Sequence, residues 1–141
     1  MNAILREAFN EILEVTDSID VEFRYEREED NFTVYANGVT LNGHDDDIRL
    51  EFQVNDGGGA AFYAIFDKLD EAPEQLRALN EFNRGSLYLT AYTTGKGFLT
   101  LRHFTVWSEP SEIADFAKEA ITRLVDMQDE PLLHNLTRYT R

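Results

Sequence analysis

The residues best suited to chemistry in this sequence are three histidines and an acidic cluster, since cysteine is absent. His44 directly precedes an aspartate run at 45–47, His103 lies in an apolar stretch, and His134 lies in the last ten residues. No two histidines have the four-residue spacing that places metal ligands on one helix face. Segment 42–47 has the carboxylates that calcium or magnesium prefers, but it lacks the alternating acids and distal glutamate of a calcium-binding hand. We expect no catalytic, cofactor-binding or metal site, and interpret 42–47 as a solvated hairpin tip.

Two glycine-rich segments, at 56–59 and 95–97, resemble phosphate-binding loops in composition alone. Each lies between two strand-like runs, whereas a phosphate loop needs the N-terminus of a helix behind it. We therefore predict turns at both places. His103 lies in the strand-like run that follows the second glycine-rich segment, where it alternates with Arg102 and shares a face with Leu99 and Leu101. We therefore predict that His103 is a partly buried structural side chain.

Aromatic residues offer a different kind of site. Four of them lie in strand-like runs and either pack in the core or form an exposed patch of the kind found at protein interfaces. With one phenylalanine from the neighbouring helical segment, they are our candidate partner-binding residues: Tyr63, Phe82, Tyr88, Tyr92 and Trp107.

These residues must be positioned by elements that the hydrophobic periodicity predicts. Apolar residues at helical spacing indicate helices over 2–16, about 71–83 and from Ile113 to Val125, and alternation with a period of two indicates strands between them. Asn37-Gly38 predicts a tight turn that adds a short strand. The predicted fold is one α+β domain, 1–141, ordered α-β-β-β(-β)-α-β-β-α, with an antiparallel sheet and helices mainly on one face. Residues 129–141 form a tail or a short terminal helix.

The stretch from Leu79 to Tyr88, LNEFNRGSLY, is a helix end that reads L-N-x-x-N-R and runs directly into a strand. Together with the element order and the acidic composition, it resembles the YbjN family and the similarly folded class I type III secretion chaperones. The resemblance implies a small, homodimeric, non-enzymatic protein; the secretion chaperones hold extended partner segments along their sheet and helix surfaces. It supplies no catalytic motif to transfer.

The chain has 27 acidic and 13 basic residues, a formal net charge of -14, and 43% hydrophobic residues. The negative electrostatic field of such a chain repels nucleic acid and anionic lipid. No apolar stretch is long enough to span a bilayer. We therefore expect a cytoplasmic protein that binds neither nucleic acid nor a membrane. The first-ranked function is a homodimeric chaperone-like or adaptor module that binds a partner protein, for example an extended polypeptide segment of that partner. The alternatives are an acidic inhibitor that mimics nucleic acid, and a metal-dependent enzyme using His44 and residues 45–47.

Overall fold

The computed structural model describes residues 1–70 and 72–140, which form four helices and one six-stranded sheet. All strand pairs are antiparallel, in the order β1-β2-β3-β4-β6-β5, which confirms the predicted α+β class. The elements are α1 Ala3–Asp17, β1 Arg24–Arg27, β2 Asn31–Val39, β3 Ile48–Asn55, β4 Gly59–Lys68, α2 Pro73–Gly85, β5 Thr90–Thr93, β6 Phe98–Val106, α3 Pro110–Met127 and α4 Pro131–Thr137.

One face of the sheet carries the core, because alternate residues of its strands are apolar and point toward the helices. Phe32 and Phe52 of this face are fully buried. The ring of Phe9 from α1 meets Phe32 edge-on with centroids 5.1 Å apart, and Phe116 from α3 lies 6.2 Å from Phe52. The helices therefore form a layer on one face of the sheet, as predicted. The alternate residues of the strands point to the other face, which no helix covers.

The prediction of a tight turn at Asn37-Gly38 is wrong. Strand β2 continues through this dipeptide to Val39, and its register with β3 shifts between Ala36 and Val39. Gly38 has a φ of 66°, a conformation that glycine adopts without steric cost, so the dipeptide forms an irregularity within one strand. Residues 40–47 then leave the sheet as a loop.

The C-terminal segment forms the short helix α4, one of the two predicted outcomes for residues 129–141. Leu133 and Leu136 are fully buried in the single core cluster. Helix α4 approaches the end of α2 closely, since a Cβ atom on Gly85 would lie 2.6 Å from Leu132 Cδ1. A larger residue at position 85 would require the Leu132 side chain to move.

Candidate interaction surface

The face of the sheet opposite the helices has no helix packed over it, and we call it the open face. The pairing register places its side chains in cross-strand rows, one of which runs Tyr35, Glu51, Tyr63 and Arg102 across β2, β3, β4 and β6. The large apolar and aromatic side chains of the open face are Tyr35, Tyr63, Ile65, Tyr92, Phe98, Phe104 and Val106.

The two most exposed of these side chains lie at the end of β6. Phe104 is 61% exposed and Val106 is 76% exposed. Their cross-strand neighbours on β4 are the small residues Ala61 and Gly59, so no large side chain stands beside them in that strand. Together the two residues give the open face an apolar end that is accessible to a partner.

An ordered polar network occupies the opposite part of the open face. Arg49 pairs through Nε with the carboxylate of Glu51 and donates from Nη1 to Asn37 Oδ1 at 2.9 Å. Its Cζ atom also lies 4.2 Å from the ring centroid of Tyr35. Gln53 Nε2 donates to the second oxygen of Glu51 at 3.0 Å. These contacts fix the side chains in place, so a partner would meet a pre-organised surface.

Tyr63 and Tyr92, two of the predicted residues, lie together on the open face. Burial raises the pKa of the Tyr92 hydroxyl, Tyr63 and Glu51 push it in the same direction, and Arg102 lowers it. The Cζ atom of Arg102 lies 5.2 Å from the ring centroid of Tyr92. Aromatic rings beside an arginine are the residue types that protein interfaces favour.

The other three predicted residues lie away from the open face, and this part of the hypothesis needs correction. Phe82 is fully buried, and Trp107 is 8% exposed with its indole Nε1 donating to the Gly59 carbonyl at 3.2 Å. Trp107 follows β6 in the alternation that faces the helices, which explains its burial. Tyr88 precedes β5 and stacks on His103 with ring centroids 3.8 Å apart. The five residues therefore do not form one patch.

Charge on the open face differs in sign from that of the whole molecule. The charged residues at its paired positions are Arg24, Glu26, Arg49, Glu51, Lys68 and Arg102. Four of these six are cations, although the chain has a formal net charge of -14. Sequence reasoning missed this excess, because the cations come from four strands that only the sheet brings together.

Within the predicted hairpin tip, His44 and Asp46 serve a structural role, whereas Asp45 and Asp47 are exposed to solvent. His44 Nε2 lies 2.8 Å from the Gln128 carbonyl oxygen, Nδ1 lies 3.1 Å from Thr137 Oγ1, and the ring stacks on His134 at 4.1 Å. Asp46 Oδ1 accepts a hydrogen bond of 2.9 Å from Thr140 Oγ1. These bonds attach loop 40–47 to the C-terminal helices. Among residues 1–70 and 72–140, no group of three potential ligands is placed to hold a metal ion.

Comparisons with protein-family models, curated proteins and solved structures find no match for this chain. Within the described part of the chain, no helix is long and apolar enough to cross a membrane.

Proposed function

We propose that this protein is a non-enzymatic adaptor or chaperone-like module that binds another protein through its open face. The supporting observation is the combination of exposed Phe104 and Val106, partly exposed tyrosines and ordered arginines on a sheet surface without a helix over it. Protein interfaces combine an apolar, aromatic centre with arginine in this way. The proposal includes a cytoplasmic location and a homodimeric state.

The partner in this proposal is a protein whose contact surface is apolar and acidic. Phe104 and Val106 need apolar groups against them, and the four cations of the open face favour carboxylates. A cationic partner would instead meet the acidic remainder of the molecule. Complementary charge of this kind fixes orientation and raises the association rate more than it raises affinity.

Nucleic acid is a poorer occupant of the same surface. Single strands bind sheets by stacking bases on aromatic rings and pairing phosphates with cations, and the open face has both kinds of side chain. The net charge of -14, however, opposes the approach of any polyanion, and phosphate contacts dominate nucleic-acid affinity. A protein with scattered carboxylates avoids most of this repulsion.

Affinity capture with a matched pair of variants tests the proposal. Arg102→Glu combined with Phe104→Ser changes the open face, and Val125→Ser changes an exposed apolar residue of α3. We expect proteins that bind the wild type and Val125→Ser equally but bind the double variant at least about tenfold more weakly, a loss of about 1.4 kcal/mol. Each such protein is then purified and its dissociation constant measured directly at low and high salt.

Three outcomes contradict the proposal. The double variant retains the same partners with the same dissociation constants, or the partners recovered have basic contact surfaces, or oligonucleotides bind the open face more tightly than any protein. Light scattering on the wild type tests the homodimer separately, and a monomer across the concentration range removes that part of the proposal.

A further inference from the structure

Strand β1 forms one edge of the sheet, and the backbone groups of its alternate residues point outward there. At the β1–β2 hairpin, the Glu28 N–H donates to the Asn31 carbonyl at 2.8 Å. Bonded pairs alternate along antiparallel strands, so the N–H and C=O groups of Tyr25 and Arg27 point away from β2. In the described part of the chain, no hydrogen bond reaches these outward groups. All four residues of β1 are exposed, so another strand has access to this edge.

The opposite edge of the sheet, β5, is not open in the same way. Asn83 of α2 bonds through its side-chain amide to both the N–H and the carbonyl of Ala91, within that edge strand. Natural sheets cover or charge their edges, because an open edge pairs with other chains. Strand β1 has no such cap over its outward groups, so its side chains decide what can pair with it.

The charged side chains of β1 fit a second copy of the same strand. Arg24 and Glu26 lie on the side of the open face, where their cross-strand neighbours on β2 are the uncharged Tyr35 and Thr33. When two copies pair antiparallel with Tyr25 opposite Tyr25, Arg24 of each copy lies opposite Glu26 of the other copy. Opposite charges that face each other across two strands stabilise the pair. The strand is therefore complementary to itself.

The other registers that use the outward groups place like charges of β1 together. Tyr25 opposite Arg27 sets Glu26 against Glu26, and Arg27 opposite Arg27 sets two guanidinium groups side by side. Like charges directly opposite each other destabilise a strand pair. Charge therefore selects the register centred on Tyr25.

We propose that two copies of this chain pair through β1 about a two-fold axis at Tyr25, which joins their six-stranded sheets into one. The inference rests on the homodimeric state in the proposed function and assigns its interface. Because the axis is perpendicular to the sheet, the open faces of the two copies lie on the same side and continue into each other. A partner that contacts both open faces is bound at two places, which raises its avidity.

Reversing one charge at a time tests the register. Arg24→Glu and Glu26→Arg each place like charges opposite one another twice in the dimer, so we expect each variant to raise the dimer dissociation constant at least about tenfold. Mixed together, the two variants regain opposite charges at both positions, and we expect heterodimers about as stable as the wild-type dimer. Lys118→Glu, at an exposed position of α3, changes the net charge as Arg24→Glu does and should dimerise as the wild type does.

Sedimentation equilibrium measures these dissociation constants. The net charge of -14 on each chain opposes association, so the measurements are made at about 0.15 M salt, where charges more than about 8 Å apart are largely screened. Hydrogen exchange of the wild type reports on the edge without any variant. We expect the amides of Tyr25 and Arg27 to exchange more slowly as protein concentration rises. The amides of Arg24 and Glu26, which face β2 in monomer and dimer alike, should change little.

Several results overturn this interface, and they differ in what they leave standing. A dimer that Arg24→Glu and Glu26→Arg do not weaken, or a dimer in which the Tyr25 and Arg27 amides stay unprotected, removes the β1 pairing and keeps the homodimeric state. A mixture of the two variants that dimerises no better than either alone also removes it. A wild-type chain that stays monomeric removes both the dimer and this interface. Binding of another protein to the open face is measured separately with Arg102→Glu and Phe104→Ser, so it stands or fails on its own.

Discussion

Tyr88 has the most strongly shifted tyrosine pKa in the described chain, and its contacts explain the shift. Burial raises the pKa of the hydroxyl to about 12, the carboxylate of Glu119 adds to the effect, and Arg123 opposes it. The ring stacks on His103, whose Nδ1 lies 2.8 Å from the Tyr88 carbonyl oxygen. The side chain is therefore anchored on the helix side of the sheet.

The shifted pKa of Tyr88 predicts a late step in the tyrosine titration. Because the folded-state pKa lies above the unfolded value of 10, the neutral hydroxyl is favoured by folding. Its contribution to stability is complete below about pH 10 and is lost as pH rises toward about 12. An ultraviolet titration of Tyr88→Phe should lack the latest ionisation, whereas Tyr25→Phe, at an exposed position, should retain it. Loss of the late step in Tyr25→Phe instead would contradict the assignment.

At the scale of the elements, Asn83 explains why the L-N-x-x-N-R motif joins a helix to a strand. Its Oδ1 accepts from the Ala91 backbone N–H at 2.7 Å, and its Nδ2 donates to the Ala91 carbonyl at 3.0 Å. Ala91 lies in β5, an edge strand, where unpaired backbone groups attract other chains. The asparagine side chain therefore takes the place of a neighbouring strand and fixes α2 against the sheet.

Removing this amide should weaken the edge. We expect Asn83→Ala to lower the free energy of unfolding by about 1–3 kcal/mol and to speed hydrogen exchange of the Ala91 amide. Asn80→Ala is the matched control, because Asn80 is an exposed residue of the same helix. Its replacement by alanine raises the helix propensity by the same amount as Asn83→Ala does. Denaturant unfolding measures both variants. Equal stabilities would mean that the two hydrogen bonds contribute nothing.

The elements that the sequence predicted well are those whose signal is local. The first helix is predicted at 2–16 and observed at Ala3–Asp17, because its apolar stripe is complete in the sequence. Strand β5, in contrast, is predicted to follow the helix end directly, but it begins only at Thr90, because Leu87 and Tyr88 belong to the turn after α2. Contacts such as that between Asn83 and Ala91 depend on tertiary packing, and periodicity carries no information about them.

The candidate site was predictable only in part for the same reason. Alternation correctly placed Arg102 on the face of β6 opposite His103. It did not show which face the helices would cover, so buried Trp107 was grouped with accessible Tyr63.

For the whole molecule, the distribution of charge matters more than its total. Residues 1–70 have 17 acidic and 5 basic side chains, whereas 71–141 have 10 and 8. The described residues form only a few ion pairs, and most of these involve exposed side chains. Most carboxylates therefore repel one another across the surface, which lowers the stability of the folded state.

Salt should therefore stabilise this protein. Raising sodium chloride from about 0.01 M to about 1 M shortens the Debye length from about 30 Å to about 3 Å and screens this repulsion. If screening raises the free energy of unfolding by about 1 kcal/mol, the melting temperature measured by calorimetry rises by about 4 °C. Glu7→Gln with Glu14→Gln, on the exposed face of α1, should melt higher at low salt and show a smaller salt-dependent rise. A melting temperature that falls with salt would mean that attractive pairs outweigh the repulsion.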